Sequence, residues 1–86
     1  MTREQDIRAE ILLQLYATRP LRRSAALLAR QAVKAGLDFA AAEIVRECAF
    51  LVGQGLVAAE TDPATGQRRY RIASAGILHY EAGRND

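Results

Sequence analysis

The spacing of apolar positions changes along the chain from about four residues to two and back, and each change marks an element. Between Thr2 and Thr18, Ile7, Ile11 and Leu15 recur every four residues, with Leu12 and Tyr16 widening the stripe. This predicts an amphipathic helix capped by Thr2, closed before Pro20, with Leu13 outside its main stripe. A second helix is predicted from Ser24, a good N-cap, to Ala35. Ala25, Leu28, Ala29 and Ala32 form its inner stripe, while Arg23, Arg30 and Lys34 point outward. Gly36 supplies a left-handed ending and Leu37 the apolar residue that follows one. Asp38 is then the expected N-cap of a third helix, after a tight turn at Gly36-Leu37-Asp38.

The third helix is expected from Phe39 to about Gln54, with Ile44, Cys48, Leu51 and Gly55 on one line, flanked by Ala41, Val45 and Val52. Projection at about 100° per residue sets Ala42, Glu43, Arg46, Glu47, Phe50 and Gln54 on the opposite, solvent-facing side. Gly55 ends this helix, and Leu56 to Thr61 reads as a strand. Asp62-Pro63-Ala64-Thr65-Gly66 is a strong turn, and Gln67 to Ile72 is the return strand. Tyr70 and Ile72 share one face of that strand, Arg69 and Arg71 the other. Ser74 is the expected cap of a final helix from Ala75 to about Ala82, with Ile77 and Tyr80 inward. The expected fold class is α+β, mostly helical: three helices, a β-hairpin and a short C-terminal helix.

Composition narrows the functional classes. The chain has 86 residues, 50% of them hydrophobic, enough for one core and a single domain over residues 1–86. A lone Cys48 excludes an intramolecular disulfide and fits a reducing cytoplasm. With His79 the only histidine, no metal site and no cofactor are expected. The apolar runs fall short of the ~18–20 residues of a membrane span. Arg3, Glu4 and Asp6 precede Ile7, so no secretory signal is expected.

The net charge of +2 conceals its own distribution. Arg19, Arg22, Arg23, Arg30 and Lys34 form a first basic block that contains no acid. Arg68, Arg69 and Arg71 form a second, and between them Asp38, Glu43, Glu47, Glu60 and Asp62 face a single Arg46. Alternating blocks of this kind predict a polarised surface. The bland alternative is a solvated helix face and a hairpin whose charges block edge-to-edge aggregation.

Three segments carry a family resemblance. They are Leu51-Val52-Gly53-Gln54-Gly55-Leu56-Val57, the arginine hairpin around Asp62-Pro63-Ala64-Thr65-Gly66, and Ile72-Ala73-Ser74-Ala75-Gly76. Their order resembles the winged helix-turn-helix superfamily: a helix ending in Leu-x-x-x-Gly-Leu-Val, a wing with arginines, and a Leu-Thr-x-x-Gly exit. The size and the Ala/Leu-rich second helix are also similar to small winged-helix proteins of Mu-like phages and prophages. The chain departs from the pattern at Ala73, where the family has Ser or Thr. It also departs in the acidic residues of its third helix, which in the family faces the DNA.

The resemblance implies a transcriptional regulator that binds duplex DNA. Arg22, Arg23 and Arg30 of the second-helix region and Arg68, Arg69 and Arg71 of the wing would neutralise phosphates, with Arg46 and Gln54 left for base contacts. If about five of the six second-helix and wing arginines neutralise phosphates, the slope of log K against log salt is about −4 to −5. A homodimer is implied as well, with Leu13, Ile77 and Leu78 supplying apolar surface. The competing class is a protein-interaction module without DNA binding, in which exposed Phe50, ringed by Glu43 and Glu47, and Leu13 contact a protein partner. No catalytic residue is expected: Cys48 lies on an apolar stripe, His79 is isolated, and the Glu43/Glu47 pair has no histidine beside it.

Overall fold

In the computed structural model, which describes residues 1–84, the first helix (α1) runs Arg3–Ala17. Thr2 Oγ1 accepts the Gln5 N–H at 3.2 Å, and Gln5 Oε1 accepts the Thr2 N–H at 3.0 Å, closing a reciprocal capping box. Ile7, Ile11, Leu12 and Leu15 are buried along its inner face, as the four-residue spacing predicts. Helix α2 (Ala25–Lys34) begins after Ser24, whose Oγ accepts the Leu27 N–H at 3.2 Å. Gly36 ends it with φ +84°, and the Gly36 and Leu37 N–H groups return to the carbonyls of Val33 and Ala32, both at 2.9 Å. These two bonds satisfy carbonyls that the helix end leaves open.

The start of the third helix departs from expectation. Helix α3 runs Ala41–Gly53, two residues later than predicted, and Asp38 is not its cap. The Asp38 carbonyl instead accepts a 2.8 Å bond from Arg3 Nη2, and Phe39 is drawn into the core at 7% exposure. Burying the Phe39 ring keeps the connection extended to Ala40, where Glu43 Oε1 reaches back to the Ala40 N–H at 3.1 Å. The cap is thus supplied from within the helix rather than from Asp38.

Strands β1 (Val57–Thr61) and β2 (Arg68–Ile72) pair antiparallel, with Glu60 opposite Arg69 and Ala59 opposite Tyr70. Asp62 Oδ1 accepts the Ala64 N–H at 2.8 Å, and the Gly66 N–H closes onto the Asp62 carbonyl at 2.8 Å. Helix α4 (Ser74–Arg84) starts one residue early, so Ser74 lies inside it and cannot be its N-cap. The preceding Ala73 carbonyl accepts the Ile77 N–H at 3.0 Å. Gly76 is required by close approach: a Cβ there would collide with the Leu56 carbonyl oxygen and lie 2.8 Å from Ile72 Cγ1. The Tyr80 ring stacks on Tyr16 of α1 at 4.4 Å, and the Tyr16 hydroxyl donates to Glu81.

Among the described residues the fold is α+β: four helices and one two-stranded antiparallel hairpin around a single core. Ile7, Ile11, Leu15, Leu28, Ile44 and Cys48 are fully buried at its centre, and Val57, Tyr70 and Ile72 close it from the hairpin side. One further backbone contact was invisible to pattern reading. Arg23, in the connection before α2, forms an isolated antiparallel bridge to Tyr70 of β2.

Candidate nucleic-acid interface

The Arg23–Tyr70 bridge joins the two basic blocks that the sequence keeps apart. It holds the chain entering α2 against β2, so the neighbouring Arg22 meets the hairpin arginines. Arg22 Nε lies 2.7 Å from Glu60 Oε2, and Arg71 Nε lies 3.2 Å from Glu60 Oε1. Arg69, directly across the ladder from Glu60, donates to Gln67 Oε1 at 3.2 and 3.1 Å. Arg22 and Arg69 border one concavity of 170 Å³ with Glu60, Thr61, Asp62 and Pro63. Arg68 projects to the other face of β2, as strand alternation requires, and shares a groove with Val45, Ala49, Val52 and Gly53 of α3.

The face of α3 differs from the sequence projection. Glu47, expected in solvent, is 3% exposed. Its Oε1 accepts from Arg8 Nε at 2.8 Å and its Oε2 from Arg46 Nε at 3.3 Å. Glu43 is held by Arg3 through bonds of 2.7 and 2.9 Å. The Arg3 guanidinium, helped by the Ala40 N–H, pulls the Glu43 carboxyl down to about 2. The reason is the crossing of α1 over this flank of α3: a carboxylate can be buried there because guanidinium groups accompany it. The exposed face of α3 is instead Ala42, Val45, Arg46 and Ala49, which contains one base and no acid.

The remaining expected site residues scatter. Arg30 is exposed on α2, whereas half-buried Arg23 borders a groove between α1 and α2 with Leu13, Leu27 and Gln31. Gln54 does not join Arg46. It is the C-cap of α3 and borders a 440 Å³ groove between α1 and α4, with Gln5, Arg8, Leu12 and His79. The α-helical projection had carried Gln54 one residue beyond the helix. Among the expected interface residues, Leu13 and Leu78 are exposed at 45% and 68%. Phe50 is 42% exposed, but the Arg8 guanidinium covers one ring face at 3.7 Å, and Glu43 and Glu47 are not free around it. Ile77 is partly buried and packs against the chain's own core, so it is not spare apolar surface.

Sequence reasoning missed Glu60 as the meeting point of two arginines, although the hairpin register alone places it across from Arg69. It also missed the Arg3–Glu43 and Arg8–Glu47 pairs, whose partners lie 40 and 39 residues apart and leave no local signal. Burial pushes the Cys48 thiol up to about 12, with the neighbouring Glu47 charge adding to the effect. Among the described residues no group of three His, Cys, Asp or Glu side chains could hold a metal ion. No described helix is long and apolar enough to cross a membrane. No protein-family model, curated protein or solved structure matches the chain.

Proposed function

We propose that this chain is a winged-helix protein that binds duplex DNA as a homodimer and acts as a regulator of transcription. The reading rests above all on one observation: the backbone bridge between Arg23 and Tyr70 brings Arg22 of the first basic block beside Arg69 and Arg71 of the second, on one face of the hairpin. Phosphate contacts by such a surface supply affinity without sequence information. A second observation supports it. The acids of α3 are paired with arginines, Glu43 with Arg3 and Glu47 with Arg8 and, at the longer 3.3 Å, with Arg46. The 66%-exposed Arg46 side chain stands among small residues on the exposed face, with Arg68 bordering the adjoining groove. Arg46 is then the residue for base contact, since a guanidinium matches the paired acceptors of guanine in the major groove. Leu13 and Leu78 supply exposed apolar surface for a second copy, and a two-fold dimer would address half-sites about one helical turn apart.

The test is replacement of Arg68, Arg69 and Arg71 together by alanine. Binding to duplexes of unrelated sequence weakens alike, and the slope of log K against log salt flattens by about two to three. Unchanged binding by the triple variant removes the hairpin from the interface.

A further inference from the structure

We infer that Glu60 occupies a phosphate subsite of its own protein and competes there with the backbone of a bound duplex. The inference rests on the DNA-binding reading above. Two guanidiniums from separate elements, Arg22 before α2 and Arg71 on β2, converge on the two oxygens of one carboxylate at 2.7 and 3.2 Å. A guanidinium presents the same donor edge to a carboxylate and to a phosphodiester, so what holds Glu60 also fits a phosphate. The three side chains stay well open to solvent, at 56%, 42% and 40%. Ion pairs of such exposure are weak and exchange readily for another anion.

The surroundings favour exchange. Arg69 lies across the ladder from Glu60 with its guanidinium held by the neutral Gln67, so a third arginine borders the concavity without an acid of its own among the described residues. Asp62, the other acid at this concavity, is committed to the turn through the Ala64 and Thr65 N–H groups. Glu60 therefore lowers the charge offered to a polyanion by one and sets affinity below what the arginines alone would give. It also keeps Arg22 and Arg71 extended toward the place a phosphate would take.

The test compares the unmodified protein with Glu60→Gln, Glu4→Gln and Glu60→Gln/Arg71→Ala on one fluorescent duplex across a chloride titration. Glu60→Gln binds about three- to tenfold tighter at low salt, with a slope steeper by about one. Glu4→Gln, an equal change of charge on exposed α1, gives no comparable gain, and removing Arg71 abolishes the gain. Circular dichroism melts establish that each variant is folded. If the unmodified protein binds and Glu60→Gln binds equally or more weakly, Glu60 is only a strut and the inference fails alone. Absence of binding by every protein overturns the DNA reading and this subsite with it. A competition arm separates the sources of phosphate. Millimolar inorganic phosphate, at matched ionic strength, releases no more duplex than sulfate does. Selective release by phosphate would reassign the subsite to the free ion.

Discussion

Arg23 and Tyr70 exchange backbone hydrogen bonds in both directions, N–H to carbonyl, each at 2.8 Å. The connection before α2 is thereby tied to β2 through main-chain atoms, and side-chain identity at position 23 is secondary to its amide. Arg23→Pro removes the donor and leaves the Tyr70 carbonyl short of a partner. The expected loss is about 1–3 kcal/mol of stability by urea denaturation. Arg23→Ala, which keeps the amide, is expected to stay within about 0.5 kcal/mol of the unmodified protein.

A Cβ at Gly76 would collide with the Leu56 carbonyl oxygen, which is fixed in place by accepting the Ala73 N–H at 3.0 Å. Gly76→Ala forces α4 away from the strand entry and is expected to cost about 3 kcal/mol or more in a thermal or chemical melt. Gly55 poses a different problem, because its φ is +76° but the space around its missing Cβ is open. Gly55→Ala is expected to cost only about 1–2 kcal/mol. The reverse order would contradict the packing at the α4 entry.

Arg8 and Arg3 both pair α1 with acids of α3, but they do so at different depths. Removing Arg8 leaves the 3%-exposed Glu47 with only the more distant Arg46 and strips the cover from Phe50. Because the Arg8 side chain is itself 28% exposed, the expected cost is about 2 kcal/mol, below that of a fully buried pair. Arg3→Ala, with a 55%-exposed side chain, is expected to destabilise clearly less. Equal effects would mean that the depth of the pair does not set its worth.

The Glu43 carboxyl is pulled from its usual 4.5 to about 2, first by the Arg3 hydrogen bonds and then by the Ala40 N–H. A depressed carboxyl stabilises the fold above the unfolded value and loses that contribution as pH falls through the folded one. The stability gap between the unmodified protein and Glu43→Gln should therefore be full above about pH 5 and close as pH falls toward 2. A gap that stays constant across this range would show that the carboxyl is not held by Arg3.

Local chemistry made most of the fold legible. Thr2, Ser24, Gly36 and the Asp62–Gly66 turn each bond within a few residues, so their roles can be read from spacing. The rest depended on distant partners. The Phe39 ring enters a core built by other helices, which displaces the start of α3 and frees Asp38 from capping. At about 100° per residue Glu47 stands only about 60° around the helix from Ile44 and about 40° from Leu51, so the projection itself puts it beside the buried stripe. The expectation of a solvent-facing Glu47 followed its charge rather than its position. What spacing does not show is that α1 crosses this flank and brings Arg8 to the carboxylate. A one-residue bridge such as Arg23–Tyr70 has no periodicity at all, yet it decides which arginines stand together.

The DNA-binding proposal is tested most directly by a salt titration of the unmodified protein on a fluorescent duplex, followed by anisotropy. With Arg22, Arg68, Arg69 and Arg71 all meeting phosphates, the expected slope of log K against log salt is about −4, with little dependence on duplex sequence at low salt. No salt-sensitive retention of duplex at low ionic strength would contradict it.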